Sequence, residues 1–225
     1  MNVVAVTKVF GSNEDNKVIA LNGVSVKIEA GEFTALVGPS GSGKSTLLNV
    51  VSGLDHPTSG EVLLQNELIS DKTGDEMSDF RRDNIGFIFQ AYNLIPVLTV
   101  AENIEYVMLL QGKDRHHRRE LVAQILKEVD LVGYEDRFPQ QLSGGQQQRV
   151  AVARAIVSQP KIVLADEPTA NLDSENGKSL VELMYRLNRN HNMTFLFSTH
   201  DSMIMEAANR IITMKDGVII DDKIR

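Results

Sequence analysis

The sequence predicts an α/β protein: a mainly parallel sheet, with an antiparallel β subdomain and a long helical stretch attached. Three observations carry this. The runs Phe33–Val37, Ile162–Ala165 and Thr194–Ser198 are short and apolar, as strands buried on both faces are. Leu180, Leu183, Met184 and Leu187 have helical spacing between the last two runs, so strand, helix and strand form a unit whose crossover makes neighbouring strands parallel. Third, Gly38-Pro39-Ser40-Gly41-Ser42-Gly43-Lys44-Ser45-Thr46 follows the first run directly and leads into a helical segment, Ser45–Ser52, closed by Gly53. It matches G-x-x-x-x-G-K-[ST], in which glycines let backbone N–H groups curl around a polyphosphate while a lysine and a hydroxyl complete the cradle. A helix N-terminus behind it adds its own N–H groups and dipole.

Composition bounds the rest. A chain of 225 residues can bury a substantial core. It has no cysteine, so disulfides and thiolate metal sites are excluded, which fits a reducing compartment. The net charge of −7 argues against a basic nucleic-acid surface. No apolar run approaches the roughly 18 residues of a membrane span, and Met1–Val4 has no leader character. Work at a membrane would therefore go through a partner.

Taken in order, residues 3–30 alternate apolar and polar positions around a polar turn at 11–17, an antiparallel hairpin pattern. Asp55–Gly60 is a turn, Glu61–Ile69 reads as one further strand, and Ile85–Phe89 is a buried-type strand ending at Gln90. From Ala91 to about Pro160 the periodicity is helical. Thr99–Glu102 has capping-box spacing ahead of Ile104, Val107 and Met108. A second stripe comprises Leu121, Val122, Ile125, Leu126 and Val129, with Gly133 as its stop. The cluster Arg115–Arg119 at its start reads as a solvated face, having no metal-ligand spacing. A third helix spans about Gln146–Ser158. The chain closes on a hairpin, Ile211–Met214 and Val218–Ile220 around Asp216-Gly217.

Two further motifs carry chemistry. A phosphate loop works with a magnesium ion, held in part by a carboxylate at the end of a neighbouring parallel strand. Asp166 ends the run Ile162–Ala165 and is that candidate, acting from one layer out while the Ser45 hydroxyl coordinates directly; Glu167 beside it is placed to polarise a water. Leu142-Ser143-Gly144-Gly145-Gln146 precedes a helix and offers a hydroxyl and glycine amides to an anion. One chain thus has two phosphate-binding elements far apart, which makes sense if each nucleotide lies between two chains.

With these residues in this order, the sequence resembles the ATP-binding subunits of ABC transporters over essentially its whole length. The resemblance implies Phe10 as the aromatic stacking on adenine, where the family more often has tyrosine. It implies Gly38, Pro39, Ser40, Gly41, Ser42, Gly43, Lys44, Ser45 and Thr46 as the nucleotide loop, and Gln90 as a residue reaching nucleotide and metal together with Ser45 and Asp166. Ser143, Gly144, Gly145 and Gln146 become the signature, Glu167 the catalytic carboxylate, Asp173 a further nucleotide-site residue, and His200 the sensor of the γ-phosphate. The implied fold is a P-loop NTPase α/β core, RecA-like, over 1–90 and 159–225, including the antiparallel β subdomain, and a helical subdomain over 91–158, all one ABC ATPase domain. Two copies would close head to tail around ATP and Mg²⁺.

The phrases Gly38–Ser52, Ile85–Gln90, Asn93–Pro96 and Leu142–Arg154 resemble the lipoprotein-releasing and macrolide-exporter type, implying an integral membrane permease subunit as partner. The run Tyr92–Leu98 is apolar where a surface loop should be polar. Periodicity leaves two readings of it open, a groove for a short helix of that permease or packing between the lobes. Three functional readings follow: the energising ATPase of an exporter, a mechanotransmitting ATPase of a cell-division or antibiotic-sensing membrane complex, and a soluble ATPase acting on nucleic acid. The acidic balance and single cassette disfavour the third.

Overall fold

The computed structural model describes residues 1–11 and 16–225. The centre is a six-stranded sheet in the order β10-β9-β3-β8-β7-β6, comprising β3 (Phe33–Val37), β6 (Ile85–Ile88), β7 (Ile162–Asp166), β8 (Phe195–Ser198), β9 (Arg210–Lys215) and β10 (Val218–Ile224). All pairings are parallel except the terminal β9–β10 hairpin, whose turn residues Asp216 and Gly217 both have the positive φ of a tight hairpin turn.

The two-residue period of the central strands divides the interior into two cores. Phe33, Ala35, Val163, Ala165, Phe195 and Phe197 face one layer, packed under α5 (Gly144–Ile156) and α6 (Ser174–His191). Leu36, Ile162, Leu164 and Leu196 face the other, under α1 (Lys44–Val51) and the antiparallel sheet. The Phe33 ring lies 4.5 Å from Phe197 and 5.6 Å from Phe195, a cluster whose truncation at any ring costs about 3–5 kcal/mol.

The second sheet is antiparallel, in the order β2-β1-β4-β5, from β1 (Asn2–Phe10), β2 (Val18–Lys27), β4 (Ser59–Leu64) and β5 (Glu67–Leu68). The polar turn expected at 11–17 lies largely outside the described residues. The single strand expected over 61–69 is instead a hairpin: Gln65 and Asn66 both adopt positive φ and fold Glu67 back onto Leu64. A helix the apolar pattern does not announce, α2 (Gly74–Asn84), buries only Met77 and Phe80, and its signal is the capping box of Thr73 with Glu76. The short α7 (Ser202–Ala207) is likewise too brief for periodicity to reveal, and Asp201 caps it.

The stretch from Ala91 to Pro160 is not continuously helical. It holds α3 (Val100–Leu110), α4 (Arg115–Glu128) and α5, with irregular chain before α3 and, apart from a 3₁₀ turn at Pro139–Gln141, between α4 and α5. Thr99 and Glu102 form the expected box, and Asp114 caps α4 by accepting from the amides of His116 and His117. Gly133 is not the stop of α4; the helix ends at Glu128, and Asp130 takes the left-handed conformation. The apolar run before α3 is fixed from below by Asn103, fully buried, whose amide nitrogen donates to the carbonyls of Ile95, Leu98 and Thr99 while its oxygen accepts from Ile95 N–H. Within that run Leu94 packs against the core, as the packing reading expects, and Val97 is 76% exposed. No helix of the described residues is long and apolar enough to cross a membrane.

Candidate functional site

Strand register places the chemistry at one edge of the parallel sheet. β8 pairs with β3 on one side and β7 on the other, so Leu36, Ser198 and Asp166 lie abreast and the chain leaves all three strands toward the same crevice. Gly38–Thr46 runs from the end of β3 into α1. Gly38, Gly41 and Gly43 hold φ of 153°, 80° and 100°, and a Cβ on Gly43 would sit 2.5 Å from Ala20 O. The loop is closed on itself: Lys44 Nζ donates to Gly38 O at 2.8 Å and Pro39 O at 3.1 Å, and Ser42 N–H to Pro39 O. A cleft of about 340 Å³ opens over it, lined by Ser40–Thr46, Glu167, Ser198 and the β2 residues Val18, Ile19 and Ala20. The hydroxyls of Ser42 and Ser198 are buried without a partner, which suits a site made for an anionic ligand.

Ser45 Oγ donates to Asp166 Oδ1 at 3.2 Å, so hydroxyl and carboxylate meet across two elements. Glu167 is held in the left-handed region at φ 45°, a conformation costly for a non-glycine residue and common where chemistry is done. Its carboxylate meets His200 Nδ1 at 2.8 Å and accepts from Thr199 Oγ1 at 3.4 Å. Thr199 in turn accepts from Asp201 N–H, and Thr169 Oγ1 donates to Asp201 Oδ2. The structure thus brings together Lys44, Ser45, Asp166, Glu167 and His200.

The other candidates stand apart from this cleft. Phe10, 44% exposed, ends β1 beneath Lys8 Nζ and pairs in register with Val18, which puts it at the rim. Gln90 is exposed just past β6, and its carbonyl accepts from Asn171 Nδ2. Asp173 caps α6, and hydrogen bonds from the backbone and side chain of Asn176 hold its carboxyl below the usual carboxylate range. Ser143 caps α5 with Gln146 as its box partner, and none of Ser143, Gly144, Gly145 and Gln146 lines the cleft among the described residues. Both glycines are pressed by neighbours: a Cβ on Gly144 would sit 2.9 Å from Tyr92 Oη, and one on Gly145 2.9 Å from Asn176 Oδ1. Sequence reasoning missed Val18, Ile19 and Ala20, an unbroken apolar run that signals a strand and no chemistry, and the Thr199–Asp201–Thr169 chain, which has no signal.

Among the described residues no cluster of three or more His, Asp or Glu could hold a metal alone. Ser45 and Asp166 are hard-oxygen donors of the kind magnesium takes when phosphates and water supply its remaining ligands.

Comparison with known proteins agrees with this geometry. Residues 21–170 match the family model described as ABC transporter. The chain is 44% identical, over 99% of its length, to the macrolide export ATP-binding/permease protein MacB of Mannheimia succiniciproducens, of which it spans only 35%. It is also 44% identical to MJ0796, an ABC transporter ATP-binding protein of Methanocaldococcus jannaschii, covering 92% of that protein. The solved dimeric MJ0796 in a post-hydrolysis state, bound to ADP and Pi, superposes with a TM-score of 0.89 at 41% identity, over 99% of this chain and 97% of that one. The cleft, the family match and the full-length likeness to a dimeric cassette converge: this chain belongs to the ABC transporter family, as one of its ATPase cassettes.

Proposed function

We propose that the chain binds Mg-ATP between two head-to-tail copies, hydrolyses it, and thereby drives a membrane permease of the macrolide-export or lipoprotein-release type from the cytoplasmic face. The observation that carries the hydrolytic half is the Glu167–His200 pair, 2.8 Å apart, beside a phosphate loop already folded to shape. Gly38–Thr46 cradle the phosphates, Lys44 stabilises the transferring phosphoryl, Phe10 stacks on the base, and Ser143, Gly144, Gly145 and Gln146 of the second copy cover the γ-phosphate, with Gln90 and Asp173 completing the site. Ser45 and Asp166 would hold magnesium, with Gln90 as a further oxygen donor, and the ion would neutralise charge on the phosphate oxygens. Glu167 accepts the proton of the attacking water, and His200 holds that carboxylate in place. Glu167→Gln should bind ATP, persist as an ATP-dependent dimer on gel filtration and lose turnover by about 100-fold or more; normal turnover would sink the assignment.

The permease half is supported by the MacB relative, whose ATP-binding region this chain resembles within a longer ATP-binding/permease protein. Exposed Val97, on the loop anchored by Asn103, is the point of contact we favour for a short permease helix. Val97→Glu should leave the ATPase of the isolated chain intact and abolish copurification with the permease. Assembly that survives the substitution would remove the loop from the interface.

A further inference from the structure

Gln148 lies in the second turn of α5 and is fully buried. Its amide nitrogen donates to Pro168 O at 2.7 Å, the carbonyl immediately after Glu167, and lies 3.5 Å from Phe89 O, the carbonyl immediately before Gln90. Its Oε1 has no partner. A buried unpartnered acceptor costs about 1–3 kcal/mol, a cost set against the donor that the same amide gives the buried Pro168 carbonyl. The amide ties the helix that starts at Ser143 to the backbone on which Glu167 is strained. Asn171 Nδ2 fastens the same two loops at Gln90 O.

We infer that Gln148 is a positioning residue that links the two nucleotide sites of the dimer: occupancy of the second copy's phosphate site at the Ser143 end of α5 sets the pose of Glu167 at the chain's own site. The inference rests on the head-to-tail reading above. A helix is stiff along its axis, and Ser143 and Gln148 sit on one unbroken helix start, so a small tilt at the cap moves Pro168 and Glu167 together. The coupling acts in cis, on the carboxylate of the chain that carries Gln148. Damage to the signature would act in trans, because the signature faces the other chain's phosphate loop.

Mixed dimers separate these. Gln148→Met removes the donor at similar volume. Paired with a Glu167→Gln chain, the Gln148→Met chain holds the only working carboxylate, and ATP turnover should fall about 10-fold or more against the wild-type/Glu167→Gln control, with KM within about 2-fold. When Gln148→Met and Glu167→Gln share one chain and the partner is wild type, turnover should match the control. Gln148→Asn, which keeps an amide but is too short to reach Pro168 O, should give the same pattern and serves if the Met variant folds poorly. Equal turnover in both arrangements, or loss in the second alone, overturns the link while leaving the dimer reading standing. A control pair that forms no ATP-dependent dimer overturns the dimer reading and the link with it.

Discussion

At the scale of single residues, two buried amides, Asn103 and Gln148, hold loops in place through the backbone carbonyls that they reach. Lys44, Ser45, Asp166 and Glu167 were identifiable because a loop, a strand end and their order along the chain are local facts. Asn103 and Gln148 were not, because each is defined by the distant carbonyls it reaches, and apolar periodicity treats a buried amide as noise. Their contributions are nonetheless measurable. Asn103→Ala should leave the Leu98 carbonyl and the Ile95 N–H without partners, while the Ile95 and Thr99 carbonyls keep the backbone donors of Leu98 and of residue 103, and should lower stability by about 2–4 kcal/mol, read as a shift of the denaturant midpoint. Gly43→Ala forces a side chain into a left-handed position against Ala20 O. It should cost about 1–3 kcal/mol and remove the thermal stabilisation that added ATP gives the parent chain.

At the scale of elements, the apolar face and not the cap decided which helices could be read. The box at Thr99 and Glu102 precedes a strong apolar face, whereas the same device at Thr73 and Glu76 introduces a helix with two buried side chains and so passed unseen. The caps set an acid limit. Backbone N–H groups of His117 and His116 hold the Asp114 carboxyl below its usual value. A depressed folded-state value means that this stabilisation is present above the unfolded carboxylate pKa of about 3.9 and is lost as pH falls through the lowered one. Asp114→Asn keeps an acceptor at the cap but does not titrate. The melting temperature of the parent should exceed that of the variant near neutrality, and the gap should close as pH falls below the unfolded carboxylate value of about 3.9.

For the whole molecule, strand–helix–strand alternation was enough to expect parallel pairing, but the order β10-β9-β3-β8-β7-β6 was not contained in any period. Nor was the joint where α4 ends. There Arg149, on α5, donates to Val129 O, pairs with Asp130 and reaches Ser179 Oγ on α6, while Arg186 donates to Glu128 O and His191 meets Glu128 Oε2. Arg149→Lys cannot reproduce that fork. It should lower stability by about 1–3 kcal/mol and raise amide exchange at 128–131 before it does so in β3 or β8.

The terminal hairpin turn has a use of its own. Gly217 N–H donates to Ser42 O inside the phosphate loop, and Gly217 O accepts from Asn22 N–H on β2. One residue is therefore wired at once, through its two flanking peptide groups, to the Gly38–Thr46 loop and to the strand that lines the cleft. Its amide is a built-in gauge: deuterium uptake at Gly217 should slow when ATP fills the cleft, giving an occupancy signal from a position that does not line it.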